Sequence, residues 1–200
     1  MEKSKTFVHF LTAVLLIVFA VAIFKVTNGT VSLVRPQNQD GSYDFSGLLS
    51  LIIPFNLCIL AFAGLITVLN DGEFGAWFGA AAVIVGIALV GFFLGFSPFA
   101  GLLVAGLYAV WWLIAAFKNL IATWGDNGFW ASRLLALCRI VLAAAMCMIF
   151  LFWLATPFES MDILQDADIV RQYNLTAIAC IVGAVALGVE GILWLNFCEY

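Results

Sequence analysis

Charge is scarce in this chain. Lys, Arg, Asp and Glu make up 10% of it and hydrophobic types 65%, whereas a water-soluble domain carries about 25% and 45–50%, so a soluble core-and-surface design is excluded. Basic residues are scarcer still. Eight Lys and Arg against twelve Asp and Glu leave a net charge of −4, with no basic stripe of the kind that nucleic-acid binding needs, and nucleic acid is not a partner. Histidine occurs once, at His9, which rules out bis-histidine haem ligation and a multi-histidine zinc site within the chain. His9 stands at the start of the first apolar run and is read as an interfacial residue. Glycine-rich phosphate loops, HExxH and GxSxG are all missing, so neither an enzyme nor a cofactor is indicated.

The five cysteines, Cys58, Cys138, Cys147, Cys180 and Cys198, fall within or at the ends of apolar runs, which does not suggest an extracellular disulfide framework. Cys147 and Cys180 come to similar depth in antiparallel helices, and Met146 and Met148 flank Cys147, a soft donor set suited to Cu(I). Adjacent helical positions point in different directions, so apolar packing is the preferred reading and no metal is assigned.

What the chain has is long apolar runs. Stretches long enough for a hydrocarbon core of about 30 Å fall at 7–26, 47–69, 76–95, 99–117, 131–156 and 175–197. They predict an all-α polytopic membrane bundle of six transmembrane helices, a single integral membrane domain over 1–200 with no separate soluble domain. Residues 76–117 are about twice as long as one crossing needs. "GFSPFAG" divides them, because Pro98 disfavours helix at Ser97 and Gly95 and Gly101 permit a tight hairpin. The short charged start "MEKSK" resembles a signal-peptide opening. With about twenty apolar residues following and no A-x-A-like cleavage site, it is read as a retained first helix.

Two polar connections, 27–46 and 157–174, lie on one face, opposite both termini. With the termini inside, Lys3, Lys5, Lys118 and Arg133 are cytoplasmic and Lys25, Arg35 and Arg171 outside, a slight lean toward the positive-inside rule. Asn28-Gly29-Thr30 and Asn174-Leu175-Thr176 match the glycan acceptor pattern on the outer side, but both lie near helix ends and are read as ordinary loop asparagines. Trp77, Trp111, Trp112, Trp124, Trp130 and Trp194 mark the inner boundary as an aromatic belt. The outer "ESMDILQDADIVRQYN", with Glu159, Asp162, Asp166 and Asp168, reads as a short amphipathic segment on the membrane surface or against a partner, its acidic face solvated. The inner "KNLIATWGDNGFW" reads similarly, with Ile121, Trp124, Phe129 and Trp130 at headgroup level.

Against that background Arg139 stands out. A guanidinium at membrane depth costs several kcal/mol unless neutralised. It lies eight residues, about 12 Å, from the inner end of the fifth helix. Glu190 lies seven residues, about 10.5 Å, from the same boundary on the sixth. Glu190 shares a helical face with Ala179, Gly183 and Ala186, and Arg139 with Ser132, Ala136 and Ala143, small residues that let membrane helices approach closely. An intramembrane Arg139–Glu190 ion pair is therefore expected, with Asn56, next to Pro54 on the second helix, as a possible polar neighbour. Thr12, Ser50 and Thr67 are expected to bond their own backbone.

The third run carries Gly75, Gly79, Gly86, Gly91 and Gly95, with two GxxxG copies, "GAWFG" and "GFFLG". Thin polar lining and small loops point to an accessory, scaffold or assembly subunit of a larger membrane complex. Its partners are the lipid bilayer and other membrane subunits or a second copy of the chain. The alternative is a small channel or transporter for protons, ions or a small solute, built around Arg139 and Glu190. A three-plus-three inverted repeat is topologically possible, though the halves share no residue-level similarity.

Overall fold

A computed structural model describes residues 2–28, 45–93, 100–125, 129–155 and 166–197. These form six α-helices: α1 (Glu2–Thr27), α2 (Phe45–Leu69), α3 (Phe74–Phe93), α4 (Ala100–Gly125), α5 (Trp130–Ala155) and α6 (Ala167–Phe197). Helices are what such a composition dictates, because in hydrocarbon every backbone N–H and C=O must find its partner within the segment or a closed sheet. Among the described residues, four stretches are long and apolar enough to cross a membrane: Lys3–Lys25, Leu103–Gly125, Trp130–Leu151 and Ala167–Asn196. The described apolar parts of α2 and α3, Asn56–Leu69 and Phe74–Val90, are shorter. The chain is an integral, polytopic membrane protein folded as a helix bundle.

Six transmembrane helices were expected and the described residues form six helices, of which α4 and α6 run furthest beyond what hydropathy indicates. α4 continues from 117 to Gly125 and α6 starts at Ala167 instead of 175. The segments expected to lie on the membrane surface are, over their described parts, end turns of these helices. Hydropathy stops where charged residues begin, whereas a helix stops where its backbone bonding stops. At the start of α6, Asp166 Oδ1 accepts from the Asp168 N–H at 2.9 Å, an N-cap that starts the helix in polar sequence. At the end of α4, Thr123 Oγ1 donates to the Asn119 carbonyl at 2.7 Å. The extension also moves Trp111 and Trp112 into the middle of α4, away from the expected belt, while Trp124 and Trp130 flank the α4–α5 connection.

The division of 76–117 occurs as expected, α3 ending at Phe93 and α4 starting at Ala100. The hairpin residues 95–99 lie outside the described residues, as do Arg35, Glu159, Asp162 and Cys198. Asn174 is not a loop residue. It sits within α6, and its Oδ1 accepts from Thr27 Oγ1 at 3.1 Å.

α1 and α6 form the most extensive helix pair. They run antiparallel from Lys5, whose ammonium lies 5.5 Å from the Trp194 ring, to the Thr27–Asn174 bond near the other end. α5 covers another side of α6, α4 packs on α5, and α2 links α1 to α3. Phe19, Phe62, Leu65, Leu142, Met146 and Leu187 are buried where these helices meet. Lipid is as apolar as leucine, so close packing rather than escape from water holds such helices together. Glycine sets the closest approaches. A Cβ on Gly64 would collide with the Thr12 side chain, and one on Gly106 with the Phe150 ring. Gly183 accommodates Ala145 of α5 and Leu16 of α1 together, at 3.5 and 3.7 Å from where its Cβ would be.

Candidate functional site: a charge cluster at one end of the bundle

The small-residue faces assign most of their members to helix contacts: Ala179, Gly183 and Ala186 on α6 and Ala136 and Ala143 on α5 are buried, while Ser132 is exposed. With α5 and α6 in contact, Arg139 Nε donates to Glu190 Oε1 at 3.2 Å. Glu190 is 0% exposed and Arg139 17%. The carboxylate is thus fully removed from solvent and the guanidinium only partly.

Two further side chains join them. Asp71, in the α2–α3 turn, accepts a short charged bond from Arg139 Nη2 through Oδ1. Its position follows from the way α2 ends. The Gly72 N–H bonds the Thr67 carbonyl at 2.8 Å and the Asp71 N–H bonds that of Val68 at 3.1 Å, the paired bonds of a Schellman cap. Such a cap places one residue in the left-handed region, usually glycine, and here it is Asp71 with φ 52°. An aspartate tolerates that conformation better than most residues, and its carboxylate reaches Arg139. On the far side of the turn, Ser4 of α1 accepts the Phe74 N–H at 3.1 Å, and the Phe7 and Phe74 rings meet edge to face at 5.6 Å. α1 is thereby fixed to the same corner.

His9 is the fourth member. It is buried between helices, 2% exposed, with Nε2 3.7 Å from Glu190 Oε1. Gly191, next to the glutamate, lets α1 in: a Cβ there would lie only 3.4 Å from His9 Cβ. His9 Nδ1 lies 2.7 Å from the Lys5 carbonyl. Since a carbonyl can only accept, Nδ1 carries a proton. His9 Nε2 and Glu190 Oε2 are buried without a hydrogen-bond partner among the described residues. Arg139 therefore spans two carboxylates, one fully buried and one 44% exposed.

Asn56 is not part of this cluster. It is exposed on α2, thirteen residues or about 20 Å from Leu69. Thr67 Oγ1 does bond its own helix, at the Ala63 carbonyl, 2.7 Å away. Thr12 Oγ1 has no partner, being pressed over Gly64, and the Ser50 side chain lies outside the described residues. Met146 is buried and Met148 is 47% exposed, so the two point to different sides of α5. Sequence reasoning missed Asp71; the signal that could have found it is Asn70-Asp71-Gly72, a turn signature ending an apolar run at the same boundary as Arg139. His9 was visible as a polar residue two residues into the first apolar run. Sequence offered no sign that α1 packs on α6.

No known family model, curated protein or solved structure matches the chain.

Proposed function

We propose that the chain is a non-enzymatic accessory, scaffold or assembly subunit of a larger membrane complex, crossing the bilayer six times with both termini on the cytoplasmic side. One observation carries this reading. Among the described residues, a Cβ added at Gly75, Gly79 or Gly86 of α3 would meet nothing within 4 Å, as at the single glycines Gly125 and Gly188, whereas Gly64, Gly106, Gly183 and Gly191 are each covered by another helix of the chain. On α3 three such glycines follow one another along one helix with no described helix over them. The neighbouring Phe78, Val83 and Val90 are exposed, and an apolar surface with glycines at GxxxG spacing suits a transmembrane helix of another subunit or of a second copy. Gly91–Gly95, the second GxxxG copy, runs beyond the described residues.

Detergent extraction from native membranes, pull-down and mass spectrometry test the proposal. A stoichiometric partner or self-association is expected, and Gly79→Leu with Gly86→Leu should abolish it while leaving the melting temperature of the isolated chain unchanged. Protein that purifies alone and drives an ion flux in liposomes, eliminated by Glu190→Gln, would overturn it. That outcome belongs to the second reading, a small proton, ion or solute transporter. Its specific support is the convergence of His9, Asp71, Arg139 and Glu190 from four separate segments.

A further inference from the structure

His9 and Glu190 are both more than nine-tenths buried, and each keeps one polar atom without a hydrogen-bond partner among the described residues. The role of Nδ1 is fixed by the Lys5 carbonyl, which leaves only Nε2 to gain or lose a proton. If Nε2 is bare, its lone pair faces the Glu190 Oε1 carboxylate oxygen at 3.7 Å, with neither atom solvated. Two electron-rich atoms in that position repel.

We propose that His9 and Glu190 form a proton-binding site, in which a single proton taken from water sits on imidazole Nε2 and the resulting imidazolium ties α1 to α6 as a buried ion pair with the carboxylate 3.7 Å away. The balance is simple. Neutral imidazole and carboxylate, plus one proton, become an imidazolium–carboxylate pair, and no other bond changes. The charged or titratable groups around it are the Arg139 guanidinium and the Cys138 thiol on α5, Asp71 in the α2–α3 turn, and Lys5 one turn away on α1, its ammonium over Trp194. Such a site is compatible with a subunit and with a transporter, so it stands or falls separately from both.

The chain's single histidine makes the site directly readable. The full chain, labelled with ¹⁵N-histidine and placed in lipid nanodiscs, gives imidazole nitrogen signals that belong to His9 alone. Nδ1 should stay protonated across the pH range in which the bundle is folded, while Nε2 gains its proton on acidification. Glu190→Gln should weaken proton binding at Nε2 about tenfold or more, because an opposite charge within 4–6 Å favours the charged form. Glu73→Gln, at the neighbouring corner, should leave it unchanged. A bare Nδ1 would overturn the proposal, as would an Nε2 that never takes a proton, or proton binding indifferent to Glu190→Gln. Should Glu190→Gln fail to fold, the wild-type titration of Nδ1 against Nε2 still decides the matter.

Discussion

Removing Arg139 should cost far more than removing Glu190, although the two side chains share one bond. Arg139→Gln leaves two carboxylates without their cation, one of them 0% exposed. Breaking a buried pair in this way costs about 3–5 kcal/mol. Glu190→Gln leaves a guanidinium that is 17% exposed and still paired with Asp71. The new amide oxygen can continue to accept from Arg139 Nε, so the loss should be nearer 1–2 kcal/mol. The gap of about 2 kcal/mol corresponds to roughly thirtyfold in an unfolding equilibrium. In the double variant Asp71 loses its partner but is 44% exposed and can turn to water. It should therefore melt within about 1 kcal/mol of Glu190→Gln, well above Arg139→Gln.

Cys58, Cys138 and Cys180 are free and buried, so a thiol-reactive fluorophore added to detergent-solubilised protein reports the opening of the bundle on heating. At about 2–4 °C per kcal/mol for a chain of this length, Arg139→Gln should melt about 10 °C below wild type and Glu190→Gln about 5 °C below. Equal melting of the two single variants would refute the reasoning. So would effects that add to within about 0.5 kcal/mol, the behaviour of sites that do not interact.

Asp71→Asn should keep the left-handed cap and lose about 1 kcal/mol in the same melt. Asp71→Gly should fall within about 1 kcal/mol of it, because relief of the left-handed backbone offsets little of the missing charge. Gly64→Ala and Gly106→Ala drive a methyl group into Thr12 and Phe150 and should each destabilise by about 1–3 kcal/mol. Gly79→Ala, with open space around it, should stay within about 0.5 kcal/mol of wild type. Asp166→Ala removes the N-cap of α6 and should cost about 1 kcal/mol, seen as faster amide exchange at Asp168 and Val170 with little change at Leu187.

The helices were legible because a membrane span is written in one variable, the length of an apolar run. Their ends were less so. Asp166 caps α6 in polar sequence by a hydrogen bond that hydropathy does not register, and α4 continues through polar residues to Gly125. The meeting of Arg139 and Glu190 could be anticipated because depth along a helix is simple arithmetic and both charges count from the same boundary. His9 and Asp71 escaped because their places depend on which helices are neighbours. That is decided by glycine contacts such as Gly191 against α1, and a sequence gives the glycines without saying what faces them. Asn56 failed for the related reason that depth alone does not fix direction: it is exposed on α2.

The order of the cluster's members along the chain bears on how the protein is made. Asp71 precedes Arg139 by 68 residues, and Glu190 follows it by 51. When α5 leaves the ribosome, the carboxylate of the α2–α3 turn already exists, while the one on α6 has still to be synthesised. The arginine therefore enters the bilayer with a counter-ion available from the outset, the exposed and forgiving one. The buried bond to Glu190 can form only after that, once α6 exists and packs against α5.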